Sequence, residues 1–156
     1  MTAALLPPAA RATPPLDNKH LLDEQIWDQL VSRISRDHAV DWSYAERIMD
    51  QTLAFLRLCA ANSGESYAPS NIVDIGWHMF ILFTREYADF CQRLAGRFIH
   101  HIPRDEEEPS AGPANGVRTT VMALKAASIT VDEPLWTPSG GCSGTRCDGN
   151  DCRGNG

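Results

Sequence analysis

The chain has 156 residues, 43% of them hydrophobic and 22% charged, with a formal net charge of −6. That length suits one domain with tails. The acidic balance argues against a nucleic-acid partner, which calls for a basic surface, and no apolar run reaches the ~18 residues a membrane span needs. Much of the charge is local. Of the 20 acids, four stand in Asp105–Glu108, leaving 16 against 14 bases. Such a block of like charge reads as a solvated loop.

Residues 1–16 carry four prolines and five alanines with no periodic apolar face. No Lys or Arg precedes Arg11, and Pro7-Pro8 interrupt the apolar stretch, so the segment lacks the build of a secretory signal. It reads as a disordered leader, and the protein as cytoplasmic. Residues 17–137 then carry four helical patterns. In the first, Leu22, Ile26, Leu30 and Ile34 recur every fourth residue, widened by Trp27 and Val31 and capped by Asp17 or Asn18. It ends near His38.

The second pattern runs from about Ser43 to Ala61, with Ser43 and Glu46 spaced as a capping box. The third starts at Ser70 and runs without a break to about Ala95, before Gly96. Its first half is apolar nearly all round, as in a central buried helix. The fourth covers about Val117–Ser128, followed by a short extended piece, and Trp136 packs back as an apolar latch. The expected architecture is all-α: a compact, four-helix bundle-like domain between a disordered leader and a flexible tail.

On the third helix, Asp74, His78, Arg85 and Asp89 return to one face and form a polar stripe on an apolar rod. Asp74 and His78, at i,i+4, are the candidate catalytic pair, a carboxylate orienting an imidazole. The same pair suits a satisfied interior contact. If the helix is unbroken, Cys91 stands about 20 Å along the axis from His78. His101 would have to travel back some 25 Å with only about 20 Å of chain, so a joint His78–His101 site is not expected.

Residues 138–156 hold six glycines and three evenly spaced thiols, Cys142, Cys147 and Cys152. The five-residue spacing fits no zinc knuckle, although thiolates on a flexible chain can gather around a soft ion. The metal candidates are therefore Cys142, Cys147 and Cys152 with His100 and His101, and the metal Zn or Cu(I). Cys59 and Cys91 read as buried and inert.

The run Asp74-Ile75-Gly76-Trp77-His78-Met79-Phe80-Ile81-Leu82, then Tyr87, Cys91, Gly96 and His100-His101-Ile102-Pro103, resembles the glycine-rich domain-containing protein family. The closing Pro134-Leu135-Trp136-Thr137-Pro138 and its Gly/Cys tail are similar to bacterial members. The resemblance spans roughly 20–156 and implies no particular activity. Plant members carry a second histidine where this chain has Phe80, so a Trp-His-x-His role does not transfer. No phosphate loop, H-E-x-x-H, C-x-x-C or nucleophile elbow is present. The reading is a non-enzymatic interaction or accessory module with an unknown protein partner. Its alternatives are a metal- or thiol-handling protein and an enzyme built on Asp74 and His78.

Overall fold

A computed structural model describes residues 14–102 and 113–137. The leader to residue 13, the acidic loop and the thiol tail lie outside the described residues. A single 3-10 turn, Lys19–Leu21, precedes six helices among the described residues: α1 (Glu24–His38), α2 (Trp42–Ala61), α3 (Asn71–Leu82), α4 (Thr84–Ala95), α5 (Pro113–Ala126) and α6 (Glu133–Trp136). No strand occurs among them, so the fold is all-α. None of these helices is long and apolar enough to cross a membrane.

The caps differ from expectation in two places. Asp41, not Ser43, caps α2, accepting from the Tyr44 amide at 2.7 Å. Asp23 stands at the N-cap of α1, and Asn18 is buried elsewhere. At α3 the Ser70 hydroxyl accepts from Val73 N, as the Pro-Ser sequence suggests. Helix α5 starts four residues earlier than its apolar pattern, at Pro113, whose fixed φ suits a first turn.

Helix α2 is the centre of the domain. Eleven of its residues are buried, including Ile48, Met49, Leu53, Phe55 and Leu56, and α1 and α3 both pack on it. The α2–α3 crossing is close because of Gly76. A Cβ there would collide with Thr52 Oγ1 and stand 3.2 Å from Ile48 Cγ2. Thr52 Oγ1 in turn donates toward two backbone carbonyls, Ile48 within α2 at 2.9 Å and Val73 on α3 at 3.0 Å. A side chain at position 76 would force the helices apart.

Both ends of the domain fasten to the middle of α2. Asp50 accepts from Asn18 N at 2.8 Å and Asn18 Nδ2 at 3.2 Å, and Arg57 donates to Asn18 Oδ1 at 2.6 Å. Gln51 Oε1 accepts from Asp132 N at 3.0 Å and Trp136 Nε1 at 2.8 Å. Trp136 thus packs back as a latch, its ring 6.4 Å from Phe55, and it also makes a hydrogen bond. Arg47 forks onto Asp132 at 2.6 and 2.9 Å.

Burial pushes the Asp50 carboxyl pKa up, against the opposing pull of its bonds from Asn18 and Gln51. The native state therefore binds this proton more tightly than the unfolded chain does. The stability contributed by this group falls as pH rises from the unfolded value of 3.8 through the higher folded one. A carbon-13 titration of the Asp50 carboxyl should give a midpoint above 3.8; a midpoint at or below it would contradict the burial argument.

Gly76→Ala should destabilise the fold by about 2–4 kcal/mol in urea melts, through overpacking and the lost Thr52 bonds. Adding Thr52→Ala removes the obstructing oxygen and should recover part of that loss. Strictly additive losses would show that the two positions do not meet.

Candidate functional site: an Asp-His-His cluster at the mouth of a cleft

The expected long third helix breaks at Phe83. Phe83 has φ −86° and ψ 67°, its amide closes a tight turn onto Phe80 O at 3.0 Å, and α4 begins afresh at Thr84. A straight helix over residues 70–95 would be about 39 Å long. The break lets the apolar face of α4 fold against α3 instead. Phe80 meets Tyr87 edge-on at 5.1 Å and Phe90 at 5.1 Å across the joint, burying all three rings.

The polar stripe is therefore not continuous. Arg85 and Asp89 sit exposed on α4, apart from Asp74 and His78 on α3. His78 is not interior either: its side chain is 61% exposed. Cys91 is fully buried in the core, as its aromatic surroundings suggest.

The break also corrects the largest misreading, the separation of His78 from His101. Gly96 ends α4 with φ +65°, a left-handed conformation that glycine adopts without steric cost, and the chain turns back. The returning segment is held by a relay through one phenol. Trp77 Nε1 donates to Tyr87 Oη at 2.9 Å, and Tyr87 Oη donates to Ile99 O at 2.6 Å. Burial pushes the Tyr87 pKa up, so the phenol stays neutral and keeps the proton it gives to Ile99. Two residues on, the ring of His101 lies 4.4 Å from Trp77 and 4.3 Å from His78.

Asp74 stands between the two imidazoles. Its Oδ1 lies 2.8 Å from His101 Nε2 and its Oδ2 lies 3.3 Å from His78 Nδ1. One ligand-type atom from each of the three residues falls within 4.8 Å of the others. Asp74 and His101 are mostly shielded, at 21% and 16% side-chain exposure, while His78 opens to solvent. The cluster lies on the wall of a cleft of about 630 Å³, walled by the α2–α3 connection, α3 and the returning segment 97–102.

Of the other sequence candidates, His100 sits beside Phe98 at 4.8 Å and does not join the cluster. Cys142, Cys147 and Cys152 lie outside the described residues. Cys59 lines the same cleft, but burial pushes its thiol pKa up to about 12, so it stays protonated near neutral pH. Sequence reasoning missed Arg97, which also lines the cleft and donates to the Cys59 carbonyl at 2.9 Å.

Residues 18–134 match the UCP032817-like family, three quarters of the chain. The chain belongs to that family. The matched span takes in α1 to α5 and, with them, every residue of the cluster and its relay. No curated protein and no solved structure matches the chain.

Tyr87→Phe removes both bonds of the relay and leaves the Trp77 N–H and the Ile99 carbonyl without their partner. It should cost about 1–3 kcal/mol in a denaturant melt. His101 ring resonances should broaden or shift in the variant. An unchanged His101 spectrum would show that the relay does not position it.

Proposed function

We propose that this protein is a metal-binding helical module, and that Asp74, His78 and His101 hold one divalent first-row cation. The convergence of one carboxylate and two imidazoles at a cleft wall carries the reading. Zinc sites with three protein ligands leave a fourth position for water or substrate. Ligand atoms about 2.1 Å from zinc in a tetrahedron stand about 3.4 Å apart. Asp74 Oδ2 stands 3.3 Å from His78 Nδ1 and Asp74 Oδ1 stands 2.8 Å from His101 Nε2, so a shared ion calls for the carboxylate to turn and the His101 contact to open by about 0.6 Å.

The donor set favours a borderline cation. Oxygen and imidazole nitrogen suit Zn²⁺, Fe²⁺ or Mn²⁺, whereas Cu(I) calls for sulfur. Cys59, the thiol in the cleft, is held protonated by its burial. This reading replaces the tail cysteines as the metal-ligating residues and keeps His101. It assigns binding and no reaction.

Titrating the full chain with Zn²⁺ under reducing conditions should give one equivalent bound at micromolar affinity or tighter. At a hundredfold excess over Kd, zinc should add about 2.7 kcal/mol to the unfolding free energy. Asp74→Ala and His101→Ala should each weaken binding at least about tenfold, while Cys142→Ser/Cys147→Ser/Cys152→Ser should not. Zinc binding that survives both single variants and disappears in the triple cysteine variant would overturn the proposal.

A further inference from the structure

The cleft beside the cluster contains a second recognition group. Arg97 follows Gly96 directly, so the turn that brings back His101 also delivers its guanidinium to the cleft wall. One of its N–H groups is spent on the Cys59 carbonyl at the end of α2, a contact that fixes the fork in place. Among the described residues no carboxylate pairs with it. Four donors of a planar, permanently charged group thus remain.

The charges around the cleft favour an anion once the cluster is loaded. A divalent ion on one carboxylate and two neutral imidazoles leaves a net positive centre. Arg97 adds a second positive charge, and Glu65, which also lines the cleft, offsets one. Three aromatic residues, Trp77, Phe98 and Tyr67, stand among the small and aliphatic residues of the remaining wall. Pockets of this size, largely apolar with a few convergent polar groups, take small organic ligands.

We infer that the cleft binds a small aromatic carboxylate, whose carboxylate oxygen fills the open coordination position while Arg97 supplies charge-assisted hydrogen bonds. The inference rests on the metal reading above, since the carboxylate needs the cation as its first anchor. Arg97 acts as the specificity group: it distinguishes an anion from a neutral ligand of the same shape. The three aromatic residues distinguish a flat ring from an aliphatic chain.

The test is calorimetric titration of the zinc-loaded full chain with benzoate, benzyl alcohol and acetate, with zinc affinity measured separately on each variant. Benzoate should bind at least about tenfold more tightly than benzyl alcohol, because an ionised partner roughly doubles a hydrogen bond. It should also outbind acetate. Arg97→Gln should weaken benzoate at least about tenfold and leave zinc affinity within about twofold, since Arg97 is not a ligand. Arg97→Lys keeps a cation and a donor for the Cys59 carbonyl while losing the fork, so it should fold and show an intermediate loss. If Arg97→Gln fails to fold, the lysine variant decides the question. Zinc binding without benzoate binding, or equal benzoate affinity in wild type and the Arg97 variants, would overturn this inference and leave the metal site standing. Failure to bind zinc would overturn the metal reading, and this inference with it.

Discussion

The contact of Gly76 with Thr52 sets the position of everything at the cleft. Because position 76 lacks a Cβ, α3 lies against α2 at backbone distance, and the Thr52 hydroxyl bonds a carbonyl of each helix. Asp74 and His78 are neighbours of that glycine on the same short helix. Their placement is inherited from the crossing and not from any loop. A site carried on a helix pinned so tightly keeps its geometry more closely than one carried on loops alone.

The second half of the site comes from the opposite kind of element. His101 lies on a stretch without regular structure, and its position depends on Gly96, the Tyr87 relay and a tilted ring contact with Trp77. Trp77 thus serves both halves: it packs 5.1 Å from Phe55 on α2, and its indole N–H holds the phenol that holds the returning segment. The adjacency of Trp77 and His78 in the chain acquires a physical reason. One residue fixes the segment that brings the partner of the next.

Much of the fold could be read from periodicity alone. The apolar stripes of α1 and α2, the Ser70 cap and the buried latch at Trp136 all follow from residue spacing. The break at Phe83 does not. No proline or glycine marks it, and Leu82-Phe83-Thr84 is unremarkable in propensity. What breaks the helix is tertiary: the rings of Phe80, Tyr87 and Phe90 pack together only if the rod folds. A straight helix would hold His78 and His101 apart; the bend at Phe83 brings their rings to 4.3 Å. A change from an all-round apolar pattern to an amphipathic one at Thr84 was the available signal. Arg97 left no trace beyond its position after a helix-ending glycine.

The pairing of both chain ends with Asp50 and Gln51 has a consequence for how the domain assembles. Residues near positions 18 and 132 meet at adjacent side chains of one central helix, and Thr130 Oγ1 reaches Asp17 Oδ2 at 2.6 Å. Contacts separated by more than a hundred residues can form only after nearly the whole domain has been made. Until residue 136 is synthesised, Gln51 has no Trp136 indole to accept from. The docking of α6 on Gln51 closes a loop of 85 residues, and the Asp17–Thr130 contact closes one of 113. That closure couples the two ends, so that fraying at one exposes buried polar groups serving the other.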